Sequence, residues 1–124
     1  IAQRAAAGKN IRAALVRNAA GEWVGPTSRA AAAFINASRM SASSGIVTFD
    51  YKTTRRGVYP ITAVSYAMAN SRQAGTAAQN AIAKAFIEFF LVECAPAKAA
   101  GLGYTALTGA RQRAALALAA RIGA

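Results

Sequence analysis

Histidine is absent from this sequence, and acidic residues are scarce: Asp and Glu together number 4 against 15 Lys plus Arg. Without an imidazole no Ser-His-Asp or Cys-His arrangement can be built, and acid–base chemistry near neutral pH loses its commonest agent. The carboxylates Glu22, Asp50, Glu88 and Glu93 form no motif, and Glu88 and Glu93 sit five apart on a predicted helix, a spacing that does not share a face well. A single cysteine, Cys94, permits no internal disulfide, and with no histidine and few acids a transition-metal cluster is excluded. The expectation is a non-enzyme, with no catalytic, metal-ligating or cofactor-binding residue to name.

Long apolar runs are also missing. No stretch of about twenty apolar residues is free of charge, so no transmembrane helix is predicted. The first residue is Ile1, and no basic-then-apolar leader follows it. The expectation is that a leader was removed or that the segment belongs to something longer. Leu91-Val92-Glu93-Cys94 superficially matches a lipoprotein box, but it lies deep in the chain within a helical pattern. A half-buried helix cysteine is the plainer reading.

What is abundant is alanine and arginine. The 124 residues suit one domain of ordinary size, and 55% are hydrophobic, but alanine adds little buried area. The larger apolar side chains, Phe34, Ile82, Phe86, Phe89, Phe90, Leu116 and Ile122, cluster in a few segments. They suffice for one modest core or for part of a larger core shared with another segment. The net charge is +11, which raises nucleic acid, an anionic membrane or an acidic partner as candidates. The cations, however, are scattered from Arg4 to Arg121, with Arg55-Arg56 the only adjacent pair and no aromatic-interleaved basic stripe. Arginine alongside alanine also follows from a GC-rich genome, which says nothing of partners.

Along the chain, residues 1–20 are helix-compatible, with Ile11, Leu15 and Val16 on one face. Asn18 to Gly21 reads as a helix exit or turn, and Trp23 to Thr27 as a short extended piece with Trp23 a strand-end core residue. Thr27 or Ser28 caps a helix to about Ser38, anchored by Phe34 and Ile35. Residues 38–45 are a polar loop, Ile46 to Asp50 a short extended stretch, and 51–57 another connector. Gly57 to Ser71 reads as a strand entered through Tyr59-Pro60, with Val64, Tyr66 and Met68 alternating. Thr76 with Gln79 is a capping box for a helix to about Cys94, whose Ile82, Phe86, Phe89 and Phe90 form one apolar stripe expected to face a core. Pro96 is expected to close or kink that helix. Tyr104 is expected to pack at a turn, and Thr108 to cap a last helix to about Ile122 with Leu116 and Ile122 on its buried side. The predicted class is α/β, with few strands flanked by helices and too few to close a sheet comfortably.

Three blocks, "AALVRNAAGEWVGPTSRAAAAF", "VYPITAVSYAMANS" and "KAFIEFFLVECAPAKAAGLGYTAL", occur in a telling order. Together they resemble the C-terminal part of the phosphate-binding proteins that serve ABC importers, with Tyr59-Pro60-Ile61-Thr62 and Leu102-Gly103-Tyr104 the strongest matches. Ala106 and Thr108 stand where that family has prolines, and Glu93 to Pro96 replaces its usual polar stretch. The resemblance implies a two-lobe periplasmic-binding-protein-like fold, incomplete in this segment. Residues 1–57 would be part of the second lobe, and 58–124 the C-terminal return that completes the first. It further implies an extracytoplasmic location, inorganic phosphate as ligand of the intact protein, a membrane permease as partner, and a missing N-terminal portion or complementing chain.

In that family phosphate is held by residues from earlier in the chain, so no ligand-binding residue is expected in this segment. Arg39 followed by Ser43-Ser44-Gly45 imitates the family's anion motif but lies after the Gly25-Pro26-Thr27 block, has Ser44 where glycine is wanted and lacks the acidic residue between. It reads as an ordinary polar loop. Two other readings remain: a structural or interaction subunit that reuses the half-fold, and a small basic nucleic-acid-associated protein motivated by charge alone.

Overall fold

The computed structural model describes residues 13–70 and 75–124. It is a mixed α/β structure in which helices accompany two small two-stranded antiparallel sheets. The first sheet pairs β1 (Val16–Arg17) with β2 (Trp23–Val24), opposing Val16 to Val24 and Arg17 to Trp23. Its turn closes because the Asn18 N–H donates to the Glu22 carbonyl at 2.9 Å and the Gly21 N–H to the Asn18 carbonyl at 2.9 Å. Gly21 turns at φ +80°, a conformation side-chain-bearing residues avoid. The helix expected over residues 1–20 is therefore corrected at Val16–Arg17, where cross-strand pairing wins over alanine propensity; Ile11 lies outside the described residues.

Helix α1 (Ser28–Ala37) begins where Thr27, extended at φ −90° and ψ 154°, accepts the Ala30 N–H on its hydroxyl at 3.1 Å. Its Ala30, Phe34 and Ile35 are buried on one face. Ser38 ends it, donating its hydroxyl to the Phe34 carbonyl at 2.9 Å. The second sheet follows at once: β3 (Arg39–Met40) pairs with β4 (Val47–Thr48), Arg39 opposite Thr48 and Met40 opposite Val47. Phe34 is fully buried and its ring stacks on Phe49 at 5.7 Å between centroids, with Tyr51 tilted against both. Val58 and Tyr59 complete this small core, held by the Tyr59 N–H donating to the Ala30 carbonyl at 3.2 Å.

The stretch expected to be a strand, Gly57 to Ser71, is in neither helix nor sheet over its described residues 57–70. Alternation alone does not make a strand; a ladder needs a neighbour, and among the described residues none pairs with it. Ile61 and Met68 are exposed, Met68 by 95%. Tyr66 touches the second sheet through its hydroxyl, which accepts the Val47 N–H at 2.8 Å.

Helix α2 (Ala77–Phe89) carries the full capping box: Thr76 Oγ1 accepts the Gln79 N–H at 3.2 Å and Gln79 Oε1 accepts the Thr76 N–H at 2.9 Å. It passes into a wide π turn (Phe90–Cys94) and then α3 (Ala95–Lys98), with Pro96 inside the first turn of α3. The expected helix end near Pro96 is thus replaced by a change of winding before it. In the wide turn the Ala95 N–H reaches back five residues to the Phe90 carbonyl. The next carbonyl, of Leu91, would need the N–H that proline lacks. Gln112 supplies it, donating from Nε2 at 2.9 Å. A 3₁₀ turn (Ala100–Leu102) and then α4 (Gly109–Ala119) follow, α4 packing beside α2 and the wide turn. The last helix ends short of the expected Ile122, which is buried in the closing turn, and Leu116 is half-buried. No described helix is long and apolar enough to cross a membrane.

The expected core stripe is corrected most sharply. Ile82, Phe86, Phe89 and Phe90 are exposed by 70%, 65%, 52% and 45%. The inward side of α2 is instead made by Asn80, Ala83, Lys84, Ile87 and Glu88, all half-buried. Trp23 and Tyr104, expected to pack, are exposed as well. Among the described residues most of the buried side chains lie in the first half, around Phe34 and Val58, and Ala119 and Ile122 are buried at the C-terminal end.

Candidate functional site

The best-connected polar centre is a carboxylate. The β1–β2 turn delivers Glu22 to the connector at Arg56-Gly57-Val58. Its Oε1 accepts the Arg56 Nε–H at 2.6 Å, and its Oε2 accepts the Gly57 N–H at 2.7 Å and an Asn18 amide N–H at 3.3 Å. Asn18 is buried and works in both directions: Oδ1 accepts the Glu22 N–H at 2.9 Å and Nδ2 also donates to the Val58 carbonyl at 3.3 Å. The Gly57 amide, then the Arg56 and Asn18 side chains, hold the Glu22 carboxyl down at about 2 against an ordinary 4.5. The same pairing raises Arg56. A carboxylate so thoroughly engaged is a fastener and a poor proton acceptor. It joins residues 34 and 35 positions apart.

Sequence reasoning read Glu22 as part of no motif and placed Arg55-Arg56, the one adjacent cation pair, in a connector. Arg56 is largely solvent-facing, but it forms the ion pair among the described residues. The readable signal was local only: Asn18 and Gly21 are turn formers flanking Glu22, which predicts the hairpin but not its partner.

The anion-motif imitation resolves into a hairpin loop. Ser41 and Ser43 share a hydrogen bond at 3.0 Å, the Ser44 N–H donates to Ser41 Oγ at 3.2 Å, and the Ile46 N–H to Ser44 Oγ at 3.4 Å. Gly45 sits at φ +73°, where a Cβ would stand 2.9 Å from Leu118 Cδ1. The hydroxyls are spent on the turn, Arg39 makes no hydrogen bond to them, and the Ser43 carbonyl accepts from Arg121 Nη1 at 3.2 Å. Ser41 to Gly45 is thus the polar loop read from the sequence, whereas Arg39 and Met40, expected in the same loop, form strand β3.

Beside that hairpin an open groove of about 670 Å³ runs between the end of α1 and the start of α4, lined in part by Asn36, Met40, Arg55, Thr108 and Arg111. Arg111 is committed: its Nη2 donates to the carbonyls of Ile35 and Ser38, covering the C-terminal end of α1. Thr108 occupies the N-cap position of α4 with no side-chain cap bond. Among the described residues the groove therefore offers one uncommitted guanidinium, Arg55, and no carboxylate, thiol or imidazole. Elsewhere, Asp50 Oδ1 accepts the Lys52 N–H at 3.1 Å in a turn, and Cys94 is a half-buried free thiol in the wide helical turn. Among the described residues no three His, Cys, Asp or Glu side chains converge as metal ligands.

The second prominent feature is the outward apolar side of α2; separately, Ile61, Tyr66 and Met68 are exposed in the irregular segment that precedes it in the chain. The geometry thus presents a fastened crossover and uncovered apolar surface. No protein family, curated protein or solved structure matches this chain.

Proposed function

We propose that this chain is the C-terminal segment of an extracytoplasmic phosphate-binding protein, the capture component of an ABC importer, and that it supplies scaffold while the ligand contacts come from elsewhere in the intact protein. The observation that carries the reading is the stretch from Tyr59 to Asn70. It holds the family-like Tyr59-Pro60-Ile61-Thr62 motif and an apolar alternation, yet it has no strand to pair with among the described residues. A segment of that composition fits a sheet whose other strands lie in a missing portion.

In this reading residues 1–57 contribute to one lobe and 58–124 to the other, within a two-lobe periplasmic-binding-protein-like fold. The Glu22 network then fastens the point at which the chain crosses between them. Function follows from closure of the lobes over the anion and docking of the closed form on the permease.

The test is native mass and N-terminal sequencing of every chain that co-purifies from the source, followed by calorimetric titration of that assembly with inorganic phosphate. A precursor or bound upstream segment, with phosphate bound, supports the reading. A lone 124-residue chain that binds no phosphate removes it. A structural or interaction subunit is then the reading favoured by the exposed α2 face.

A further inference from the structure

We propose that the outward face of α2 is a self-association surface, on which a second copy of this chain packs its own α2. The proposal concerns the chain as it stands and is independent of the phosphate reading.

The helix is inverted relative to an ordinary surface helix. Its charged side chains Lys84 and Glu88 are half-buried on the inward side, while Ile82, Phe86 and Phe89 point away with only Ala78, Ala81, Ala85 and Gln79 for company. At 3.6 residues per turn these form one continuous uncharged face. Ile82, Phe86, Phe89 and Phe90 are 45% to 70% exposed. They present on the order of 500 Å² of apolar surface, given about 150–250 Å² for a whole aromatic side chain. With the alanines added, the face approaches the roughly 800 Å² per partner of a standard interface.

Its relief suits a copy of itself. A ridge of three large side chains at i, i+4 and i+7 runs beside a furrow of three alanines, so a two-fold axis sets each ridge in the other's furrow. Charge then separates this occupant from an acidic partner. Two chains of net charge +11 repel at long range, while the α2 residues of the face carry no charge and exposed Glu93 borders its C-terminal end. Salt screens that repulsion and strengthens the pairing; it would weaken an ionic one.

The experiment is sedimentation velocity of the 124-residue chain across concentration, at low and high salt, beside Phe86→Glu/Phe89→Glu, Ile82→Glu and Met68→Glu, with far-UV circular dichroism to follow the fold. The substituted residues are exposed, so the helical signal is expected to persist. The expected result is a monomer–dimer equilibrium that tightens with salt, is weakened at least about ten-fold by Phe86→Glu/Phe89→Glu and by Ile82→Glu, and is untouched by Met68→Glu. A wild-type chain that stays monomeric at both salts overturns the proposal. So does association that weakens with salt, or that survives the α2 substitutions unchanged.

Discussion

Glu22 accepts from Arg56, Gly57 and Asn18 at once, and protonating it removes the negative charge that strengthens all three bonds. Its carboxyl is held at about 2, below the ordinary 4.5. For a depressed acid the stabilisation is complete above the unfolded value and drains away as pH falls from there toward the folded one. The acid limb between those two values therefore belongs in part to Glu22. Urea midpoints taken at about pH 6 and about pH 3 are expected to fall less in Glu22→Gln than in the natural chain; an equal fall would detach this residue from the acid response. A second residue, Gln112, acts by filling in for a missing N–H. Gln112→Ala leaves the Leu91 carbonyl without its donor, and equilibrium unfolding is expected to show a loss of about 1 kcal/mol.

At the scale of elements, the β3–β4 hairpin rests its tip against α4 at Gly45. A methyl group there meets Leu118 at 2.9 Å and forces a side chain on a residue at φ +73°. Gly45→Ala is expected to cost about 1–2 kcal/mol from backbone conformation alone, read as a lowered unfolding midpoint. Such elements show how far the sequence could be read. The caps at Thr27 and Thr76 with Gln79 were legible because their donors lie three residues away. The hairpin at Asn18 to Gly21 was half legible: the turn formers stood out, but the preceding residues looked helical. The Glu22–Gly57 bond spans 35 positions, and no local pattern encodes it. The stripe of α2 was visible as a stripe, yet which side of a helix is covered depends on what lies opposite. Lys84 and Glu88 turned inward against that expectation. The strand expected after Tyr59 failed for the same reason, since a strand is a property of two segments. The candidate site divides in the same way: the loop hydroxyls at Ser41 to Ser44 were readable as turn chemistry, and the fastener at Glu22 was not.

At the scale of the whole molecule, the deeply buried side chains among the described residues are few, with Phe34 and Val58 the large ones fully enclosed. Removing the Phe34 ring also takes away the stack on Phe49 and the tilted contact with Tyr51. Phe34→Ala is expected to cost about 3–5 kcal/mol, a large fraction of the roughly 5–15 kcal/mol available to a domain, and loss of the thermal transition would record it. Charge acts at the same scale. With 15 cations, 4 acids and a lone ion pair among the described residues, self-repulsion opposes compaction. Added salt is expected to raise the melting temperature, measured with Phe86→Glu/Phe89→Glu so that association does not contribute; a melting temperature indifferent to salt would show the repulsion to be inconsequential.

The wide turn at Phe90–Cys94 also sets a reading frame. A π turn holds one residue more than α geometry allows, and each residue is worth about 100° of rotation. Positions before Phe90 and after Cys94 therefore do not share one helical wheel. A designer who extends the α2 stripe by counting onward through the turn will place new apolar groups on a neighbouring face, whereas removing one residue there would bring the two halves into phase.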